Sequence, residues 1–140
     1  MMRIVLDTNV LLVSLPPSSP YRLIFDKLLD GVYQLCISNE ILIEYEEKIA
    51  ERYDAEVVKD LLGVLLALRN VKKITPYFRW NLIENDPDDN KFVDAAISAN
   101  ADYLVTNDKH FNILKTIDFP KVSLYKAEEF QAILSRTKFR

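Results

Sequence analysis

The sequence predicts an α/β domain built on a parallel sheet with helices over both faces, and three observations carry that prediction. Short apolar runs alternate with segments of helical period along the chain, from Ile4-Val5-Leu6 to the run ending at Tyr125. A length of 140 residues with 49% apolar composition fits a single domain, residues 1–140, able to bury a core of ordinary size. Two of the apolar runs also end alike, in Asp7-Thr8-Asn9 and in Thr106-Asn107-Asp108. In both, a carboxylate, a hydroxyl and an amide arrive together where a strand stops.

Taken in order, Ile4, Val5 and Leu6 read as a buried strand, and Val10 to Ser14 as a short apolar helical turn. The prolines of Pro16-Pro17-Ser18-Ser19-Pro20 forbid that turn from continuing as a helix. Leu23, Ile24, Leu28 and Leu29 recur at helical spacing within residues 21–30, and Gly31 is a suitable terminator. Tyr33 to Ile37 is a second strand. Ser38 then serves as N-cap of a helix with Glu40 in its first turn, where the helix dipole favours a negative charge. Ile41, Leu42, Tyr45 and Ile49 form its apolar stripe, with Glu40, Glu47 and Glu51 opposite. Glu44 falls about 60° from Ile41, at the border of the buried face, from which an acid can point toward the strand ends.

Residues 54–69 make a further helix whose apolar residues, Val57, Val58, Leu61, Leu62, Val64, Leu65, Leu66 and Leu68, spread over a wide arc. Deep burial or a second surface facing a partner would both account for that arc. Val71 to Ile74 is a third strand. The acidic stretch Glu84-Asn85-Asp86-Pro87-Asp88-Asp89-Asn90 resembles a calcium loop only superficially, because Lys91 stands where that loop needs Gly and Ile97 where it needs Glu. Asp88 or Asp89 instead caps a helix over 90–100, whose narrow polar side carries Asp94 and Ser98. Asp102 to Val105 is a fourth strand, Val122 to Tyr125 a fifth, and Ala127 to Leu134 a closing helix.

Composition narrows the function. No stretch approaches the roughly 20 consecutive apolar residues of a membrane span, and the amino terminus lacks the pattern of a secretory leader, so a soluble, cytoplasmic protein is expected. The single cysteine, Cys36, sits inside Leu35-Cys36-Ile37 and reads as a core residue. His110 is the only histidine, which excludes any metal site or triad that needs two imidazoles. A net charge of -3 leaves no basic patch in control of the surface. Arg22, Lys72, Lys73, Arg79, Lys109, Arg136, Lys138 and Arg140 are either ordinary solvated charges or aids to holding a phosphate chain beside a cation-loaded centre.

The acids are what point to chemistry. Right-handed crossovers put the carboxyl ends of all parallel strands on one edge, where ligands bind beside the point at which strand order reverses. Asp7 and Asp108 share that edge and would be close if the first and fourth strands are neighbours; Glu44 and Asp94 border it. Asp7 or Thr8 could instead simply cap a helix, and Asp94 could face solvent. If the acids do converge, their mutual repulsion demands a cation, and oxygen ligands without a histidine pair favour Mg²⁺ or Mn²⁺. Such an ion draws hydroxide from water near neutral pH, and a second one about 3.5 to 4 Å away can stabilise a leaving oxygen, which is phosphodiester hydrolysis.

Ile4-Val5-Leu6-Asp7-Thr8-Asn9-Val10-Leu11, the helix of Ser38 to Glu47, and Phe92-Val93-Asp94-Ala95-Ala96 followed by Tyr103-Leu104-Val105-Thr106-Asn107-Asp108 resemble a PIN domain, and more narrowly the PIN-type toxins of prokaryotic toxin-antitoxin pairs. The likeness covers nearly the whole chain, with the segments agreeing in order and spacing. It implies a three-layer α/β/α PIN-like domain with a central parallel sheet in strand order 3-2-1-4-5 and a metal-dependent ribonuclease site for single-stranded RNA. By the same resemblance Asp7, Glu44, Asp94 and Asp108 are the catalytic, metal-binding acids, supported through hydrogen bonds by Thr8, Asn9 and Thr106. Asp89 matches a variant of the third motif and could share or replace the role of Asp94; Glu40 is a fallback for Glu44. A small antitoxin and a homodimer are the partners implied.

Two other functions compete. A non-catalytic PIN-fold binding or scaffold module would keep the architecture without binding a metal. Phosphoryl transfer through Asp7 as nucleophile would use the Asp-x-Asp signature of aspartyl-phosphate enzymes, and this chain has Asn9 in the place of the second acid.

Overall fold

The structure is a computed structural model, and it describes residues 1–136. Two of the basic residues named above, Lys138 and Arg140, lie outside the described residues. Within them, strands β1 (Arg3–Leu6), β2 (Gln34–Ile37), β3 (Val71–Lys73), β4 (Tyr103–Val105) and β5 (Leu124–Tyr125) form one sheet in the order β3-β2-β1-β4-β5. Every pairing is parallel, with Ile4 opposite both Leu35 and Tyr103 and Leu104 opposite Leu124. Helices α1 (Thr8–Ser14), α2 (Arg22–Leu29), α3 (Asn39–Ala50), α4 (Ala55–Ala67), α5 (Asn90–Ser98) and α6 (Ala127–Arg136) flank the sheet in the expected three-layer arrangement.

β1 is the centre of the molecule. Ile4, Val5 and Leu6 are fully buried, as continuous apolar strands covered on both faces must be. Chain order reverses beside it: β1 leads outward to β2 and β3, the chain crosses back over residues 74–86, and β4 enters on its free side. Asp7 and Asp108 therefore end neighbouring strands.

Local signals set the helix limits. Gly31 closes α2 with a positive φ of 77°, which a side chain would resist. Ser38 accepts from the Ile41 N–H and Asp54 from the Val57 N–H, each satisfying an open first-turn donor. The Tyr45 hydroxyl donates to the Leu6 carbonyl at 2.6 Å, fastening α3 to the last residue of β1. In α4, Val58 and Leu65 are buried while Val57, Val64 and Leu66 reach solvent, so part of its wide apolar arc is open. Cys36 is buried and free.

The main departures from sequence expectation lie around α5 and β5. Pro87–Asp89 forms a 3-10 turn ahead of α5, and the carboxylate of Asp89 makes no capping hydrogen bond. α5 ends at Ser98, before the expected residue 100, with Asn100 taking up the left-handed conformation at φ 51°. Asn90 exchanges hydrogen bonds with both the N–H and the carbonyl of Ile83, at 2.9 and 3.0 Å, and this holds the crossing segment down. β5 is shorter than the run 122–125, and a 3-10 segment spans Lys109–Thr116 ahead of it. Among the described residues no helix is long and apolar enough to cross a membrane.

Candidate functional site

Thr106 joins the two strand-end acids. Its hydroxyl donates to Asp7 Oδ2 at 2.7 Å and accepts from the Asp108 N–H at 3.0 Å, so one side chain fixes the carboxylate of β1 and the backbone after β4. The Asp7 N–H in turn donates to the Val105 carbonyl at 3.0 Å. Asp7 is 6% exposed. Burial raises its pKa above the ordinary carboxylate range; the Thr106 hydrogen bond opposes this, and the charges of Asp108 and Glu44 add to it. Asn9 contributes through its backbone, which hydrogen-bonds Asp7.

Glu44 enters from α3 beside the Tyr45 anchor, and both its oxygens are engaged. One accepts from the Thr8 hydroxyl and the other receives the Lys91 ammonium at 2.7 Å. Lys91 also reaches Asp88 Oδ1 at 2.9 Å, and its side chain is only 8% exposed. Burial pulls the Lys91 pKa down, but the hydrogen bonds to Glu44 and Asp88 outweigh it and leave the ammonium raised. Asp88 is correspondingly lowered, first by its hydrogen bond with Lys91.

A denser group lies on the Asp108 side. Asp86, Asp89, Asp108 and His110 each offer a ligand atom, all within 4.8 Å of one another. Asp108 Oδ1 accepts from the His110 N–H at 2.9 Å and stands 3.4 Å from His110 Nδ1. Asp89 Oδ2 is buried without a hydrogen-bond partner, with His110 Nδ1 at 3.8 Å, beyond bonding length. Burial and then the charges of Asp86, Asp108 and Asp7 push the Asp89 carboxyl up to about 7, against the pull of His110. Carboxylates with one imidazole could hold a divalent cation, and the orphaned oxygen of Asp89 is an open acceptor among them.

Asp94 has a different set of partners. Its Oδ1 accepts from the Trp80 N–H at 3.0 Å, and the charges acting on it are those of Arg79 and Glu40. Burial raises its pKa, with the Trp80 bond opposing. Glu40 pairs with Arg79 at 3.4 Å. Both acids thus hold the crossing segment to α5 and α3, whereas Asp89 couples directly to Asp7 and Asp108. Sequence reasoning passed over Asp86 and His110. The only available signal was the crowding of acids at 84–89 and the position of His110 two residues after Asp108.

Of the basic residues, Arg22 is tied to Asp26 at 2.9 Å and Arg79 to Glu40. Lys109, with Lys115 and Lys126, lines a groove of about 170 Å³ that also includes Thr106 and Asp108.

Compared with known families, residues 3–110 match the family model described as PIN domain, an interval that holds every acid discussed above. The chain belongs to the PIN domain family. Among solved structures, this PIN domain is similar to a chain in the crystal structure of VapBC2 from Rickettsia felis bound to a DNA fragment from their promoter. The two share 20% identity with a TM-score of 0.62, over 89% of this chain and 98% of that one, which is a likeness of fold. No curated protein matches this chain by sequence.

Proposed function

We propose that this PIN domain is a Mg²⁺- or Mn²⁺-dependent endoribonuclease that hydrolyses phosphodiester bonds of single-stranded RNA, acting in the cytoplasm as the toxin of a toxin-antitoxin pair. The observation that carries the reading is the unpartnered Asp89 oxygen, buried among carboxylates from three separate parts of the chain. Like charges gathered that closely favour a site built to be filled by a cation over one built for packing.

Asp7, Asp89 and Asp108 would hold the ion, flanked by Asp86 and His110, with Asp89 taking the place expected of Asp94. When bound, a divalent ion supplies a nucleophile from water near neutral pH and relief of charge on the leaving oxygen. The chain's own part is positioning: Thr106 fixes Asp7 and Asp108 relative to each other, and burial of Asp7 keeps its carboxylate strongly attractive to a cation. Lys109, Lys115 and Lys126 would carry the phosphate chain away from the site along their groove.

The neighbour's membership of VapBC2 supports a small protein antitoxin as partner. The exposed apolar residues of α4 are available to it or to a second copy of the chain. Labelled single-stranded RNA incubated with Mn²⁺ and wild-type protein should be cut. Asp7→Asn and excess EDTA should each abolish cleavage; equal cutting by wild type and variant, or cutting that persists in EDTA, overturns the reading.

A further inference from the structure

Lys91 is the cation already built into this site. Its side chain is 8% exposed, and its ammonium donates to Glu44 Oε1 at 2.7 Å, Asp88 Oδ1 at 2.9 Å and the Asp88 carbonyl at 3.0 Å. Those three acceptors use all three of its protons. The other oxygen of Glu44 takes the Thr8 hydroxyl, so both Glu44 oxygens already hold a donor from the protein. Asp89, two residues before Lys91, is the opposite case, with a buried oxygen that no donor meets. The acids thus divide into a half neutralised by the protein and a half left unneutralised.

We propose that Lys91 is a positioning residue that stands where a second divalent ion would otherwise sit, so that the site takes a single Mg²⁺ or Mn²⁺ at Asp7, Asp89 and Asp108 and leaves Glu44 out of the coordination. The ammonium holds Glu44 against the start of α5 and thereby sets the turn that aims Asp89 inward. A fixed positive charge beside one divalent ion also satisfies a ring of carboxylates whose full ionisation two ions would serve elsewhere. This inference rests on the metal-dependent reading given above.

The test is calorimetric titration with Mn²⁺ alone, without RNA. Wild type should bind one ion. Glu44→Gln should also bind one, within about threefold of the wild-type affinity, because the amide keeps the shape and an acceptor for Thr8 or Lys91 and removes no ligand of the ion. Lys91→Met should gain a second, weaker Mn²⁺ between Glu44 and Asp88, and Lys91→Arg, which keeps the charge, should return to one. Two ions in wild type, a loss of tenfold or more in Glu44→Gln, or a single unchanged event in Lys91→Met would each overturn the proposal. No binding at all in wild type would instead remove the metal-dependent reading beneath it. Should Lys91→Met fail to fold, the wild-type stoichiometry and Glu44→Gln still decide.

Discussion

Replacing Asp89 with Asn should stabilise the metal-free protein above neutral pH. In the fold this carboxyl titrates at about 7, against about 4 in an unfolded chain. A group raised in this way contributes its full stability below the unfolded pKa and loses it as pH rises through the folded one. The lost share therefore grows from about pH 4 to about pH 7. Three pKa units amount to about 4 kcal/mol, but Asp86 and His110 beside it reach solvent, and screening reduces the difference to about 1–2 kcal/mol. Asn keeps the shape, carries no charge, and can turn its amide N–H toward Asp86 and Asp108. For a chain of this length that is a rise in Tm of roughly 3–7 °C. The assay is thermal unfolding of wild type and Asp89→Asn in EDTA at pH 8 and pH 4.5. The variant should melt higher at pH 8 and alike at pH 4.5, and the comparison removes the common contribution of Asp7, whose pKa burial raises in the same direction. Adding Mn²⁺ to 100 times its Kd should stabilise wild type by about 2.7 kcal/mol and the variant much less, inverting their order. A variant no more stable at pH 8, or a gap that persists at pH 4.5, would refute the reasoning.

The remaining expectations concern neighbouring contacts. Thr106→Val keeps the packing and removes both hydrogen bonds of the hydroxyl; calorimetry should show Mn²⁺ affinity down by about tenfold in a protein with unchanged circular dichroism. Tyr45→Phe deletes the bond to the Leu6 carbonyl in a fully buried place, and urea unfolding should report a loss of about 1–2 kcal/mol. Asn90→Ala strips both hydrogen bonds from Ile83 and should cost about 2–3 kcal/mol, with faster amide exchange concentrated in residues 77–86.

How much of this the residues announced depends on range. The strands declared themselves because apolar runs such as Val5-Leu6 and Leu104-Val105 are short and sharply bounded, and the two acid-bearing strand ends followed from chain order. Asp94 shows where such reading stops. Helical period correctly put it on the narrow polar side of α5, but period says nothing about which segment that side meets, and the stretch 77–80 that meets it has no period at all. Asp89 looked like a cap because acids favour helix starts; it does stand at the N-cap of α5, but its carboxylate makes no capping bond and one of its oxygens is buried without a partner. Lys91 counted only as the residue that spoils a calcium loop, since nothing in one dimension foretells a buried ammonium between α3 and α5. His110 was weighed only as a lone imidazole, whereas its place depends on the 3-10 segment after Asp108.

The separation of 99 residues between Asp7 and Thr106 has a consequence for biosynthesis. On a ribosome adding about 5–20 residues each second, the first of the paired acids emerges roughly 5–20 seconds before its counterpart. Throughout that interval the nascent polypeptide holds only half of its acidic centre, and the halves can meet only once translation has passed the fourth strand.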